Sequence, residues 1–96
     1  MSPKNKKKLN LIRIKLDKLD NKLLDLIKYR TFLVKEVLKL KEFKKEIVDK
    51  KRINFILNKI KDKSKKLNID PKITNRIWKN MIWSYIDYER RNFKKK

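Results

Sequence analysis

Glycine, alanine, cysteine, histidine and glutamine are all missing from this chain of 96 residues. Without cysteine there is no disulfide framework and no thiolate chemistry, a condition compatible with a reducing cytoplasm. With neither histidine nor cysteine, a transition-metal site is not expected. The absence of glycine excludes both the dinucleotide-binding fingerprint and the phosphate loop. No stretch approaches the roughly 18 uninterrupted apolar residues of a membrane span. The opening Met-Ser-Pro-Lys-Asn-Lys-Lys-Lys has no apolar run before Leu9, so it does not read as a secretory signal. The length bounds a single small domain, residues 1–96. A domain of that size buries a modest fraction of its surface, and association is a natural source of extra core.

Basic residues are what the chain has in excess: 31 Lys and Arg against 11 Asp and Glu, a formal charge of +20. Such a charge invites a nucleic-acid reading. The lysines, however, are spread over the whole chain, and the abundance of Lys, Ile and Asn suggests drift in an A/T-rich coding sequence. Most of them therefore read as solvated helix faces, and nucleic acid is not the expected partner. The terminal segments 1–8 and 94–96 read as frayed tails.

Apolar periodicity predicts three helices and no strands. The first is expected from about Asn5 to about Phe43, with its apolar register at Leu9, Ile12, Leu16, Leu19, Leu23, Leu26, Leu33, Val37 and Leu40. Steps of three and four mark the seam of a long amphipathic helix. Arg30 occupies a place where that register calls for a leucine. A guanidinium on an apolar seam is costly to bury without an anionic partner, so something negative is expected to meet it. Lys41 lies eleven residues on, about 20° away around the helix, and shares the same stripe. The sequence thus reads as building an anion site.

A short connection is expected around residues 44–48, then Asp49 as the N-cap of a second helix with Arg52, Ile53, Ile56, Leu57 and Ile60 on its face. That helix is expected to fade over residues 61–66. Asp70 before Pro71 is a cap residue followed by proline at the first helical position, so a third helix is expected from Pro71 to about Phe93. One of its faces carries Ile73, Ile77, Met81, Ser84 and Tyr88, and an adjoining one carries Trp78, Ile82, Tyr85 and Glu89. Arg13 and Arg52, taken singly, read as surface arginines, Asp49 as a cap, and Glu89 as a partner for some surface lysine. Arg30 resists that bland reading, although long cationic side chains also snorkel.

Taken together, these residues resemble the all-helical chorismate mutases of phenylalanine and tyrosine synthesis. The similarity rests on Ile12-Arg13, on Leu19-Asp20-Asn21-Lys22-Leu23-Leu24-Asp25-Leu26-Ile27, and on Tyr29-Arg30. It continues through Val34 to Lys41, Asp49-Lys50-Lys51-Arg52, Ile69-Asp70-Pro71, Arg76-Ile77-Trp78 and Glu89, and so covers about Leu9 to Phe93. The resemblance implies an intertwined homodimer that binds chorismate as a dianion. Arg13 from the partner chain and Arg30 would pair with its carboxylates, with Arg52 assisting. Lys41 and Glu89 would hydrogen-bond the ether oxygen of the breaking bond, and Asp49 would help hold the ring hydroxyl. Two positions depart from the family pattern: Ile53 stands where a glutamate usually follows the arginine, and Tyr85 where a serine is common. The stretch between Lys41 and Asp49 is also one residue shorter than usual.

The reaction implied is a pericyclic rearrangement that needs no nucleophile, metal, cofactor or net proton transfer. Fixed cations placed where negative charge grows are sufficient for it, and charged donors are what this sequence retains. The expectation is therefore an all-α, cytoplasmic isomerase with no cofactor and no membrane partner. Its catalytic residues would be Arg30, Lys41 and Glu89, with Ile53 and Tyr85 lining the substrate site. A carboxyl at Glu89 donates a hydrogen bond only while protonated, which predicts higher activity in acid. The rival readings are a basic helical nucleic-acid-binding protein, a related chorismate-family lyase on the same fold, and a coiled-coil scaffold.

Overall fold

The structure, a computed structural model, describes residues 1–94 and is built from helices alone among them. Helix α1 runs Pro3–Leu40, α2 Lys50–Lys66 and α3 Pro71–Asn92, with a short 3-10 turn at Lys44–Glu46. The all-α expectation and the three helices hold. Two compact units divide the chain within α1, Met1–Leu33 and Val34–Lys96.

The first unit consists almost entirely of helix. Ser2 starts it: its hydroxyl accepts from the Asn5 backbone N–H at 3.2 Å, its carbonyl accepts from Lys6 at 2.9 Å, and Pro3 follows at the first helical position. Residues 3–8 thus belong to the helix and are not a frayed tail, because the cap supplies partners for N–H groups that would otherwise fray. Lys94 follows the end of α3 outside any helix, and residues 95 and 96 of the expected C-terminal tail lie outside the described residues. At 38 residues α1 is about 57 Å long. It has no buried residue, and the seam side chains Ile12, Leu16, Leu19, Leu23 and Leu26 are each about half exposed, 47–64%.

Within the second unit, a small core forms from Ile47, Ile82 and Ile86, with Val48, Ile53, Ile56, Leu57 and Phe93 packed around it. The predicted apolar face of α2 is the face that packs. Ile47 is a surprise, since it sits in the charged connection yet is only 3% exposed. The connection is anchored by hydrogen bonds to the backbone. The Glu46 carboxylate accepts from the Glu42 N–H at 3.0 Å, and the Glu46 and Ile47 N–H groups donate to the Phe43 and Lys44 carbonyls. These contacts turn the chain so that Ile47 enters the core, and α1 consequently stops at Leu40, earlier than expected.

Asp49 caps α2, accepting from the Arg52 N–H at 3.0 Å, and Asp70 caps α3, accepting from the Lys72 N–H at 2.9 Å. Helix α2 does not fade over residues 61–66; it continues to Lys66 and closes properly. The Ile69 N–H donates to the Ser64 carbonyl at 2.9 Å and the Asn68 N–H to that of Lys65 at 3.2 Å. Asn68 carries φ 58°. This is a Schellman closure, with asparagine in the left-handed position that a glycine-free chain cannot fill with glycine. Ser64 and Thr74, both buried, share a hydroxyl–hydroxyl hydrogen bond of 2.6 Å that joins α2 to α3, and Ser64 also donates to the Ile60 carbonyl at 2.6 Å.

Candidate active site

The C-terminal end of α3 and the residue just beyond α1 meet in an ion pair. Lys41 Nζ donates to Glu89 Oε1 at 2.9 Å, across 48 residues of sequence. The side chains are 18% and 6% exposed, so the carboxylate is the buried member. Its burial follows from position. Trp78, Ile82, Tyr85 and Glu89 lie along one side of α3, and Ile82 belongs to the core while Trp78 and Tyr85 are partly buried. A carboxylate there is deprived of water and needs a charged donor. Lys41 supplies one of its three N–H groups and keeps two.

Lys41 reaches this place by leaving the helix. Its backbone N–H closes a tight turn onto the Leu38 carbonyl at 3.2 Å, and the α-helix has already ended. Lys41 stands one residue beyond the end of α1, and its ammonium is held by Glu89.

At the start of α2, Asp49 acts as a cap. The Arg52 guanidinium lies over the Phe55 ring, 5.3 Å from its centroid, and Arg52 is exposed. Ile53, half-buried, packs against the Ile47–Ile82–Ile86 core. Its methyl groups can accept no hydrogen bond, so at this position the chain offers apolar surface. Tyr85 lies one turn before Glu89 on the same side of α3 and is partly buried. Arg13 is exposed and Arg30 partly buried, both on the helix of the first unit. Among the sequence-predicted residues, then, the fold brings Lys41 and Glu89 into direct contact, places Tyr85 one turn away, and gives Asp49 and Ile53 local structural work. Sequence reasoning missed Ile47, Ser64, Thr74 and Ile86 as interior residues. Ile86, four residues after Ile82, is the one a helical count would have found.

Among the described residues no three His, Cys, Asp or Glu side chains gather as a metal site would need. No helix there is long and apolar enough to cross a membrane. Together, three helices and a part-buried lysine–glutamate pair define an all-helical protein with an ion pair at its inner face. The family model for chorismate mutase type II matches residues 12–90, and the chain belongs to that family. Its members are isomerases, and this chain is accordingly a chorismate mutase of aromatic amino acid biosynthesis, acting on chorismate. No curated protein and no solved structure matches the chain.

Proposed function

We propose that chorismate is converted to prephenate by a site in which Lys41 carries the chemistry. The reaction breaks the C–O ether bond while a new C–C bond forms, and negative charge grows on the ether oxygen. Lys41 suits that oxygen because Glu89 fixes its ammonium at 2.9 Å and leaves two N–H groups to donate. This pair is the observation that carries the reading. Arg30 and the partner's Arg13 would clamp the two carboxylates of the dianion, with Arg52 assisting and Asp49 near the ring hydroxyl. Ile53 and Tyr85 would line the site. Glu89 holds Lys41 in place, and adds a donor of its own to the ether oxygen only when protonated.

The same reading makes the enzyme a homodimer. A helix of 38 residues without one buried side chain, and with a half-exposed leucine and isoleucine seam, wants a second apolar surface. A second copy offers the same seam, and a symmetric pair would contain two sites, each completed by the other chain's Arg13. A cytoplasmic enzyme fits the cysteine-free composition.

The test is prephenate formation from chorismate by the purified chain and its variants. Losing a preorganised donor to developing charge costs about 3–4 kcal/mol, roughly 100- to 1000-fold in turnover. Arg30→Ala and Lys41→Ala are expected to lose that much, and Lys63→Ala, exposed on α2, almost nothing. Equal losses at Lys63 and Lys41 would refute the site. Chorismate consumed with pyruvate released, and no prephenate, would identify a lyase.

A further inference from the structure

Helix α3 gathers its cations where the chain as a whole spreads them. At 100° per residue, Lys72, Arg76, Lys79 and Arg90 all fall within about 40° of Trp83. All five side chains are exposed, Trp83 by 47%. Four of the five cations of α3 therefore form a single stripe about 27 Å long with an indole in its middle. The one acid on it, Asp87, is held by Arg91 at 2.9 Å, which offsets its charge. At the N-terminal end the stripe widens: Lys61 of α2 joins Pro71, Lys72 and Asn75 around an open depression of about 290 Å³. This face is distinct from the one that buries Thr74, Ile82, Ile86 and Glu89, and the mutase chemistry makes no use of it.

We infer that the Lys72–Arg76–Lys79–Trp83–Arg90 stripe binds single-stranded nucleic acid, the indole stacking on an unpaired base while the cations follow the phosphates. Aromatic platforms set in a cationic track are the two parts that sequence-tolerant single-strand binding requires. A protein partner suits the stripe less well. The cores of protein interfaces are depleted of lysine, and here the one large apolar group is ringed by Lys and Arg. A duplex offers its phosphates but no free base face to Trp83. Stacking on a single aromatic residue is sequence-tolerant, so binding is expected to depend on single-strandedness and salt and little on base order.

The experiment uses the full chain and a fluorescein-labelled oligothymidylate of about 12 nucleotides, within the site size of such proteins, with anisotropy read at several salt concentrations. Trp83→Leu is expected to weaken binding about 10-fold, and Phe55→Leu, an exposed aromatic off the stripe, less than twofold. The triple variant Lys72→Ser/Arg76→Ser/Lys79→Ser is expected to reduce the slope of log K against log salt by about 2, at roughly 0.7 per phosphate contact. The triple Lys51→Ser/Lys63→Ser/Lys65→Ser removes as much charge from the exposed side chains of α2 and is expected to leave the slope nearly unchanged. Helical circular dichroism and prephenate formation, retained in every variant, show that the fold survives. Equal effects of the two triple variants, or affinity within twofold after Trp83→Leu, would overturn the inference and reduce the binding to diffuse charge. Tighter binding of a polyglutamate peptide or of duplex than of the single strand would also overturn it.

Discussion

Removing one member of the Lys41–Glu89 pair separates stability from catalysis, because both groups contribute to each. At 2.9 Å and an effective dielectric of about 20, the Coulomb attraction is about 6 kcal/mol, before a desolvation cost of several kcal/mol per ion is subtracted. The intact pair is therefore worth little net. A broken pair is different. In Lys41→Met the Glu89 carboxylate remains 6% exposed with no cation, and uncompensated buried charges cost roughly 3–5 kcal/mol. Because Lys41 keeps some contact with water, the lower end of that range, about 3 kcal/mol, is expected. The double variant Lys41→Met/Glu89→Leu removes both charges and should recover at least half of that loss. Urea denaturation followed by circular dichroism, at one fixed protein concentration and pH 7, measures all four species of the cycle. Turnover should behave otherwise: the double variant stays as inactive as Lys41→Met, since no donor remains. A coupling energy below about 0.5 kcal/mol, the range of additive distant sites, would refute the pairing and with it the argument for how Lys41 is aimed.

Glu89→Gln keeps an acceptor for Lys41 and adds a permanent N–H donor, so it should retain more prephenate formation than Glu89→Leu, which leaves Lys41 without its partner; equal losses would remove Glu89 from the site. Asn68→Gly should be neutral to slightly stabilising and Asn68→Val destabilising by about 1–2 kcal/mol, since φ 58° penalises a β-branched residue, as thermal melts will show. Ile86→Ala, at a site 4% exposed, should cost about 2–5 kcal/mol in the same melts. The melting temperature should rise with protein concentration if folding and association are coupled, and mixed Arg13→Ala and Arg30→Ala chains should regain activity if sites are shared.

What the sequence made legible was local. Asp49 and Asp70-Pro71 announce helix starts because a cap is satisfied within three residues, and the α2 face shows because its apolar spacing repeats. Ser2-Pro3 carries the same signature as Asp70-Pro71, yet the lysines that follow it offer no apolar period to confirm a helix. Ile47 was hidden because a lone isoleucine among charges has no period at all. Ser64 and Thr74 belong to no apolar repeat, and only the crossing of α2 and α3 gives each hydroxyl the other as partner. Lys41 stood out because it follows the apolar register of α1, whereas its contact with Glu89, 48 residues on, leaves no trace in helical periodicity. The family resemblance set Lys41 and Glu89 about one ether oxygen and not against each other, whereas the inward position of Glu89 followed from its apolar neighbours on α3.

Four of the chain's 11 acids are occupied by tasks other than neutralising the surface. Asp49 and Asp70 hold helix starts, Glu46 holds the backbone N–H of Glu42, and Glu89 faces inward onto Lys41. The other seven, among them Asp87 on Arg91 and Glu36 on Lys39, are too few against 31 bases, and the exterior stays strongly cationic. Compactness then works against self-repulsion, and the balance belongs partly to the medium. Added electrolyte, which shortens the range of that repulsion to about 10 Å at 0.1 M, should act as a stabiliser of this fold. The protein is in that sense tuned to the ionic strength around it, and its acids contribute more by where they point than by how much charge they cancel.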